Sequence, residues 1–242
     1  MNNINSNERW DDLELDGLGV IQAIDGYSFT SDSVLLANFI KAGRKDKVIE
    51  LCAGSGVISL IMGYKRKPKS LTLVEIQESQ ADRARRSFLL NNMEANIIND
   101  RLQEINKKVG AYSFDVCFAN PPYRKKSNDF SNLKEIAIST HEIEVNLSEL
   151  VTEAEKLLKF GGRFYVIYPV ERLAELFYEL VKNKLEPKEM VVIYPKEGRP
   201  AELVIVSATK GAKHGLKLLE PIIQNDKNGK PTEIMKSIYN SR

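Results

Sequence analysis

"VIELCAGSGVISL", Val48–Leu60, decides the fold. "VIELC" is a short apolar run, "AGSG" is a glycine-rich turn, and "GVISLIMGYK" continues as a helix. A strand that turns through glycines into a helix is the opening of a parallel crossover unit. The alternation then repeats. "SLTLVE" reads as a strand, and "ESQADRARRSFLLNNM" as a helix with Ala81, Ala84, Phe88 and Leu89 on its apolar face. A weaker strand covers Ala95 to Asn99, a helix follows around Gln103 to Val109, and "YSFDVCFA" is the next strand. "NLSELVTEAEKLLKF" is a helix stopped by Gly161 and Gly162, "RFYVIYP" a strand and "VERLAELFYELVKNK" a helix. "KEMVVIYP" and "AELVIVSAT" are joined only by "KEGRP", a hairpin length. The expectation is an α/β, doubly wound domain: a seven-stranded, mostly parallel sheet with an antiparallel C-terminal hairpin.

Upstream, "IQAIDGYSFTSDSVLLANFI" gives a glycine-containing turn, an N-cap at Ser31 or Asp32, and a helix through Ile40. Residues 1–20 are expected to be disordered or loosely packed, and 21–242 to form a single domain. The stretch 124–146 is polar without a clear period and reads as a loop or flap. The polar tail from Lys210 holds "NDKNGKP", a turn or exposed loop.

The chain has 242 residues, 43% hydrophobic and 28% charged, enough to fill the core of one large α/β domain. A net charge of +2 favours no partner class, so local clusters matter more: "KRKPK" at Lys65–Lys69 and "RKK" at Arg124–Lys126. Cys52 and Cys117 lie in apolar segments and read as buried free thiols in a reducing compartment. No zinc spacing, secretory leader or run of roughly 20 apolar residues is present. A cytoplasmic enzyme without metal, membrane or obligate protein partner is expected.

In open α/β sheets ligands bind beyond the carboxyl ends of the strands. Gly54 and Gly56 remove side chains where the first turn bends and approaches a ligand. The third glycine of a dinucleotide fingerprint is missing, and no Gly-Lys-Ser/Thr follows to neutralise a triphosphate. Instead Glu50 precedes the glycines, and a carboxylate there disfavours phosphate and favours a cation. S-adenosylmethionine carries a sulfonium and an ammonium. Glu75 closes the second strand roughly twenty residues on, where a carboxylate accepts ribose hydroxyls. Asp100, after the third strand, is placed to accept from an adenine amino group.

The fourth strand ends in "NPPY", Asn120, Pro121, Pro122 and Tyr123. An exocyclic amine is a poor nucleophile, because its lone pair is delocalised. The Asn120 side-chain carbonyl and the Pro121 backbone carbonyl offer acceptors for its two hydrogens. Prolines fix φ and bring no competing donor, and Tyr123 offers a flat face for stacking.

These stretches resemble the class I S-adenosylmethionine-dependent methyltransferases, with "NPPY" matching the amino-methylating branch. More narrowly, "QAIDGYSFTSDSVLLANFI", "VIELCAGSGVISL", "FANPPYRKK" and "GRPAELVIVSATKG" resemble the bacterial tRNA(Val) adenine-N6 methyltransferase family. The resemblance implies a Rossmann-like class I fold, S-adenosyl-L-methionine as cofactor, tRNA as partner, and methylation of the adenine next to the anticodon. It assigns Glu50, Gly54 and Gly56 to the cofactor's methionine end, flanked by the segment Thr30, Ser31, Asp32 and Ser33, with Glu75 on the ribose, Asp100 on the adenine, and Cys52, Ala53 and Ile76 as further cofactor contacts. Asn120 borders cofactor and target base alike, and Pro121, Pro122 and Tyr123 fall on the base. Cys52 departs from the pattern, since many class members have glycine there.

Arg124, Lys125 and Lys126 follow the base pocket, where phosphates flanking an extruded nucleotide would lie. Arg199, in the last hairpin, is a further RNA candidate. "KRKPK" reads as a soluble loop and His141 as a cap or surface residue. The rivals are a glutamine N5-methyltransferase acting on release factors, a guanine-N2 rRNA methyltransferase, a DNA adenine methyltransferase, and a silent cofactor-binding scaffold. The glutamine enzymes carry a sizeable helical domain before the cofactor turn, where only about 45 residues precede it here.

Overall fold

A computed structural model describes residues 4–26, 28–123 and 145–240. Its first element corrects an expectation. Residues 8–23 form a hairpin of β1 (Glu8–Leu15) and β2 (Leu18–Ala23), where disorder or loose packing through residue 20 was expected. The signal was Asp16-Gly17, both with positive φ (48° and 83°), the two-residue turn that matches strand twist. The polar composition of β1 hid it: Glu8 is buried against Arg86 and the other charged residues are partly or fully exposed, while Leu13 and Leu15 enter the core with Leu18 and Val20.

Helix α1 (Ser31–Phe39) has Thr30 at its N-cap position, not Ser31 or Asp32, and no side-chain cap bond is made there. Then come β3 (Lys47–Leu51), α2 (Val57–Arg66), β4 (Ser70–Glu75), α3 (Glu78–Leu90) and β5 (Asn96–Asn99), at the expected places. On α3, Ala81, Ala84 and Phe88 are buried, but Leu89 is 65% exposed. One residue past Phe88 turns its side chain by about 100° around the helix, onto the solvent side. The next helix, α4 (Asn106–Val109), is a single turn and does not reach back to Gln103.

β6 (Phe114–Ala119) precedes the strand-end residues Asn120–Tyr123. Arg124, Lys125, Lys126, His141 and most of the expected flap lie outside the described residues. Helix α5 (Leu147–Leu157) opens with a reciprocal capping box, Asn146 with Glu149. It ends at Leu157, not at the glycines, because β7 (Leu158–Pro169) begins at once by pairing Leu158 with Phe114. Gly161, with φ 77°, lies in the bulge before Arg163 pairs with Val116. After a 3-10 turn (Val170–Arg172) come α6 (Leu173–Lys182), β8 (Leu185–Lys196) and β9 (Leu203–Lys210).

The sheet runs β8-β9-β7-β6-β3-β4-β5, parallel except that β9 is antiparallel to both neighbours. The seven expected strands are all there. The polar tail adds two short ones on β8, β10 (Lys217–Leu218) and β11 (Ile222–Asn225), and ends in α7 (Glu233–Asn240). β3 lies between β4 and β6, so strand order reverses there and a crevice opens at its carboxyl end. Among the described residues, no helix is long and apolar enough to cross a membrane.

Candidate active site

The turn after β3 is built from three left-handed residues in five: Cys52 (φ 56°), Gly54 (56°) and Gly56 (81°). The glycines adopt this without cost, whereas a left-handed cysteine costs about 1–2 kcal/mol. The familiar glycine at position 52 thus has a geometric reason, and Cys52 keeps the turn at an energetic cost. The turn is tied down by Ala53 N–H donating to the Val74 carbonyl at 3.0 Å and Gly56 N–H to the Ala53 carbonyl at 2.9 Å.

A cavity of about 200 Å³ opens over this turn. Of the expected cofactor residues, Thr30, Asp32, Glu50, Cys52, Ala53, Gly54, Glu75, Ile76, Asp100 and Asn120 line it, with Pro121, Pro122 and Tyr123 beside them. Ser31 and Gly56 do not. Ser31 turns its hydroxyl to accept from Gln224 Nε2 at 2.9 Å. A Cβ on Gly56 would stand 3.0 Å from Leu73 and 3.2 Å from Phe88, so this glycine admits close packing under the turn. A Cβ on Gly54 would meet nothing within 4 Å, leaving open space at the cavity wall.

Glu50 is 1% exposed and accepts the Ser59 hydroxyl. Burial pushes its carboxyl up to about 8; hydrogen bonds from Ser59 oppose this, and the charge of Glu75 adds to it. It is therefore largely neutral at pH 7 until a cation arrives. Glu75 is fixed differently: Oε2 accepts Gly54 N–H and Oε1 accepts Gln77 N–H, both at 2.8 Å. Asp100 accepts its neighbour Arg101 N–H at 2.8 Å and pairs with Lys108. Burial raises the Asp32 carboxyl, with Thr30 and Ser31 opposing and Glu202 reinforcing the shift.

Asn120 Nδ2 donates to Ser33 Oγ at 3.4 Å, a long bond that leaves the side-chain carbonyl as acceptor. Tyr123 is braced from behind. Arg172 donates to its backbone carbonyl at 3.0 Å, its ring meets Tyr168 edge-on at 6.3 Å, and the Arg172 guanidinium lies 5.1 Å over Tyr168. Tyr123 and Asp32 also border a second, open cavity of about 820 Å³, floored by Pro169, Ile193 and Leu203 and rimmed by Glu171 and Glu202. Arg199 is exposed in the β8–β9 turn and borders neither cavity. Lys65–Lys69 sit at the far end of α2, where Lys65 donates to Asn38 Oδ1 at 2.7 Å. The sequence reading missed Gln22, Ser55 and Gln103 in the first cavity and Arg172 in the second, whereas Ser33, the end of the segment expected to flank the cofactor, lines the first. Gln22 was legible only through the Asp16-Gly17 hairpin; polar residues such as Ser55 carry no pattern.

A sheet that reverses at β3, with acids around a cavity at its carboxyl end, is a Rossmann-like frame, and the family match makes it that of an S-adenosyl-L-methionine-dependent methyltransferase. The sequence profile described as the methyltransferase small domain matches residues 28–184, and the chain belongs to that family. The tRNA1(Val) (adenine(37)-N6)-methyltransferase of Shewanella sp. (strain W3-18-1) is 24% identical over 188 residues, 76% of this chain and 78% of that protein. The protein of the same name in Dyadobacter fermentans is 26% identical over 145 residues, 58% of each. Among solved structures, a predicted O-methyltransferase from Agrobacterium tumefaciens superposes with a TM-score of 0.70 at 21% identity, over 87% of this chain and 96% of that one. The M. jannaschii TYW2 protein, solved in complex with AdoMet, gives 0.57 at 15% identity, over 85% and 86%.

Proposed function

We propose that this methyltransferase acts on N6 of an adenine in tRNA, next to the anticodon of tRNA(Val), in the cytoplasm. The observation that carries the proposal is Asn120-Pro121-Pro122-Tyr123 at the junction of the two cavities, with Asn120 held by Ser33 and Tyr123 by Arg172. The names of the curated relatives point to the same substrate. Residues 21–242 act as one domain, and the rest of the β1–β2 hairpin, upstream of residue 21, adds Leu13, Leu15, Leu18 and Val20 to the same core.

The residues fit the cofactor. Glu50 would hold the ammonium, Glu75, fixed by the Gly54 and Gln77 backbone N–H groups, would accept the ribose hydroxyls, and Asp100 would accept from the adenine amino group. When bound, S-adenosyl-L-methionine supplies an electrophilic methyl group.

An extruded adenine enters from the open cavity and stacks on Tyr123, recovering about 1–3 kcal/mol of the cost of leaving its stack. Asn120 Oδ1 and the Pro121 carbonyl accept the two amine hydrogens, drawing the nitrogen toward a tetrahedral, nucleophilic shape. No side chain has to act as a strong base, because the nitrogen loses its proton readily once it carries a fourth bond. Asp32, Glu171 and Glu202 line the open cavity and Arg172, its one cation among the described residues, is paired with Glu175, so Arg124, Lys125, Lys126 and Arg199 are the candidates for the backbone.

The test is to incubate the purified protein and labelled cofactor with total RNA, DNA and protein from cells lacking the chain. The expected result is label in tRNA(Val), released as N6-methyladenosine and mapped to the nucleotide beside the anticodon. Label in protein alone supports the glutamine reading and sinks this one.

A further inference from the structure

Gln22 lies on β2, outside the turn after β3, yet only 1% of it is exposed. Its side chain joins two loops. Nε2 donates to Ser55 Oγ at 2.5 Å and to the Ile21 carbonyl at 3.3 Å, while Oε1 accepts the Phe29 N–H at 3.2 Å. Ser55 stands between the two glycines of the cofactor turn, and Phe29 precedes the cap of α1; both line the first cavity. An amide with both ends engaged in a buried site is fixed in orientation.

The strand that carries Gln22 is itself anchored. Ile21 N–H donates to Ser87 Oγ at 2.9 Å, and Gly19 exchanges two bonds with the Asn91 side chain at 3.1 and 2.7 Å. At the hairpin's other end, Arg86 grips Glu8 through both guanidinium nitrogens at 2.7 Å. A continuous set of bonds therefore runs from α3 through the hairpin to the turn. That turn holds three left-handed residues and has little freedom to be rebuilt if it drifts.

We propose that Gln22 is a positioning residue. It sets the distance between the cofactor turn and the Phe29–Thr30 segment, which makes the N-terminal hairpin a working part of the cofactor site. This rests on reading the first cavity as that site and requires nothing of the methyl acceptor.

The test compares Gln22→Leu, Ser55→Ala, the double variant and Glu75→Ala by calorimetric titration with S-adenosylhomocysteine, at a temperature well below each variant's unfolding transition. Gln22→Leu should weaken binding about 10–100-fold and raise KM for S-adenosylmethionine in proportion, leaving kcat at saturation within about twofold. A merely structural role would lower the unfolding temperature without this split. Ser55→Ala should cost about 3–10-fold, and the double variant should bind no worse than Gln22→Leu, since both remove one shared bond. Wild-type affinity in Gln22→Leu, or losses that add, overturns the proposal. Should Gln22→Leu not fold, wild-type affinity in Ser55→Ala overturns it instead. Glu75→Ala separates the two readings: if it binds as wild type, the cavity is not the cofactor site and both fall.

Discussion

The two halves of the sheet meet at β3 and present opposite chemistry at their carboxyl ends. On the β3–β4–β5 side three carboxylates close successive strands, each with a protein partner: Glu50 with Ser59, Glu75 with Gly54 and Gln77, Asp100 with Lys108. On the β6–β7 side the strand ends in Asn120 and two prolines, neutral acceptors whose polar contact is Ser33. Under the proposed function, carboxylates would meet a charged cofactor on one side, and uncharged oxygens an uncharged amine on the other. Damage to the two halves should separate, with binding and pH dependence on the first and turnover on the second.

The largest separation is expected at Asn120. Replacing it with alanine removes one of two acceptors and should lower kcat by about 10²–10³-fold, the scale of losing one preorganised hydrogen-bonding group at a reacting atom. Affinity for S-adenosylhomocysteine should change less than about threefold. Single-turnover kinetics alongside equilibrium binding reads both. Unchanged kcat, or binding that collapses together with kcat, would break the division between the halves.

How far the sequence exposed each half follows from the physics of its elements. The β3–α2 and β4–α3 units were readable because buried parallel strands are unbroken apolar runs and their turns need glycine. Glu50, Glu75 and Asp100 were found by counting to strand ends. The β1–β2 hairpin was not, because five of the eight residues of β1 are charged, its burial depends on contacts such as Glu8 with Arg86, and only Asp16-Gly17 marks it. β10 and β11 escaped for a related reason: two to four polar residues carry no periodicity, and pairing with β8 alone makes them strands. Gln22 and Ser55 meet across the fold, a contact that no local spacing encodes. Cys52 was noticed as a departure, but its cause needed the backbone angle.

The next effect is a pH dependence confined to the cofactor side. With the Glu50 carboxyl raised to about 8 and an ammonium to hold, binding must expel a proton below that pH. The ratio of wild-type to Glu50→Gln affinity should rise toward tenfold per pH unit between pH 6 and 8, then level; the variant cancels the cofactor's own titration. Stability follows the opposite course. A carboxyl whose folded pKa exceeds its unfolded value of 4.5 contributes fully below pH 4.5 and loses that contribution as pH rises toward 8. The melting temperature of Glu50→Gln relative to wild type should therefore climb over that window and flatten above it. A ratio independent of pH would mean that Glu50 stays protonated with cofactor bound, and the cofactor side would no longer bind charge with charge.

The smallest effect sharpens the neutral side. Tyr123 offers the acceptor half a ring, and the ring's position is set by Arg172 and Tyr168 behind it. Tyr123→Ala should raise KM for an anticodon stem-loop about tenfold, within the range expected for one base–aromatic stack. Tyr123→Phe keeps the face and should stay within about twofold, with S-adenosylhomocysteine affinity unchanged in both. Steady-state kinetics on the stem-loop distinguishes them. Equal losses in the two variants would assign the effect to the hydroxyl. The acceptor side would then recognise its base by a directional polar contact, not by a flat surface, and its contrast with the carboxylate side would narrow to the single residue Asn120.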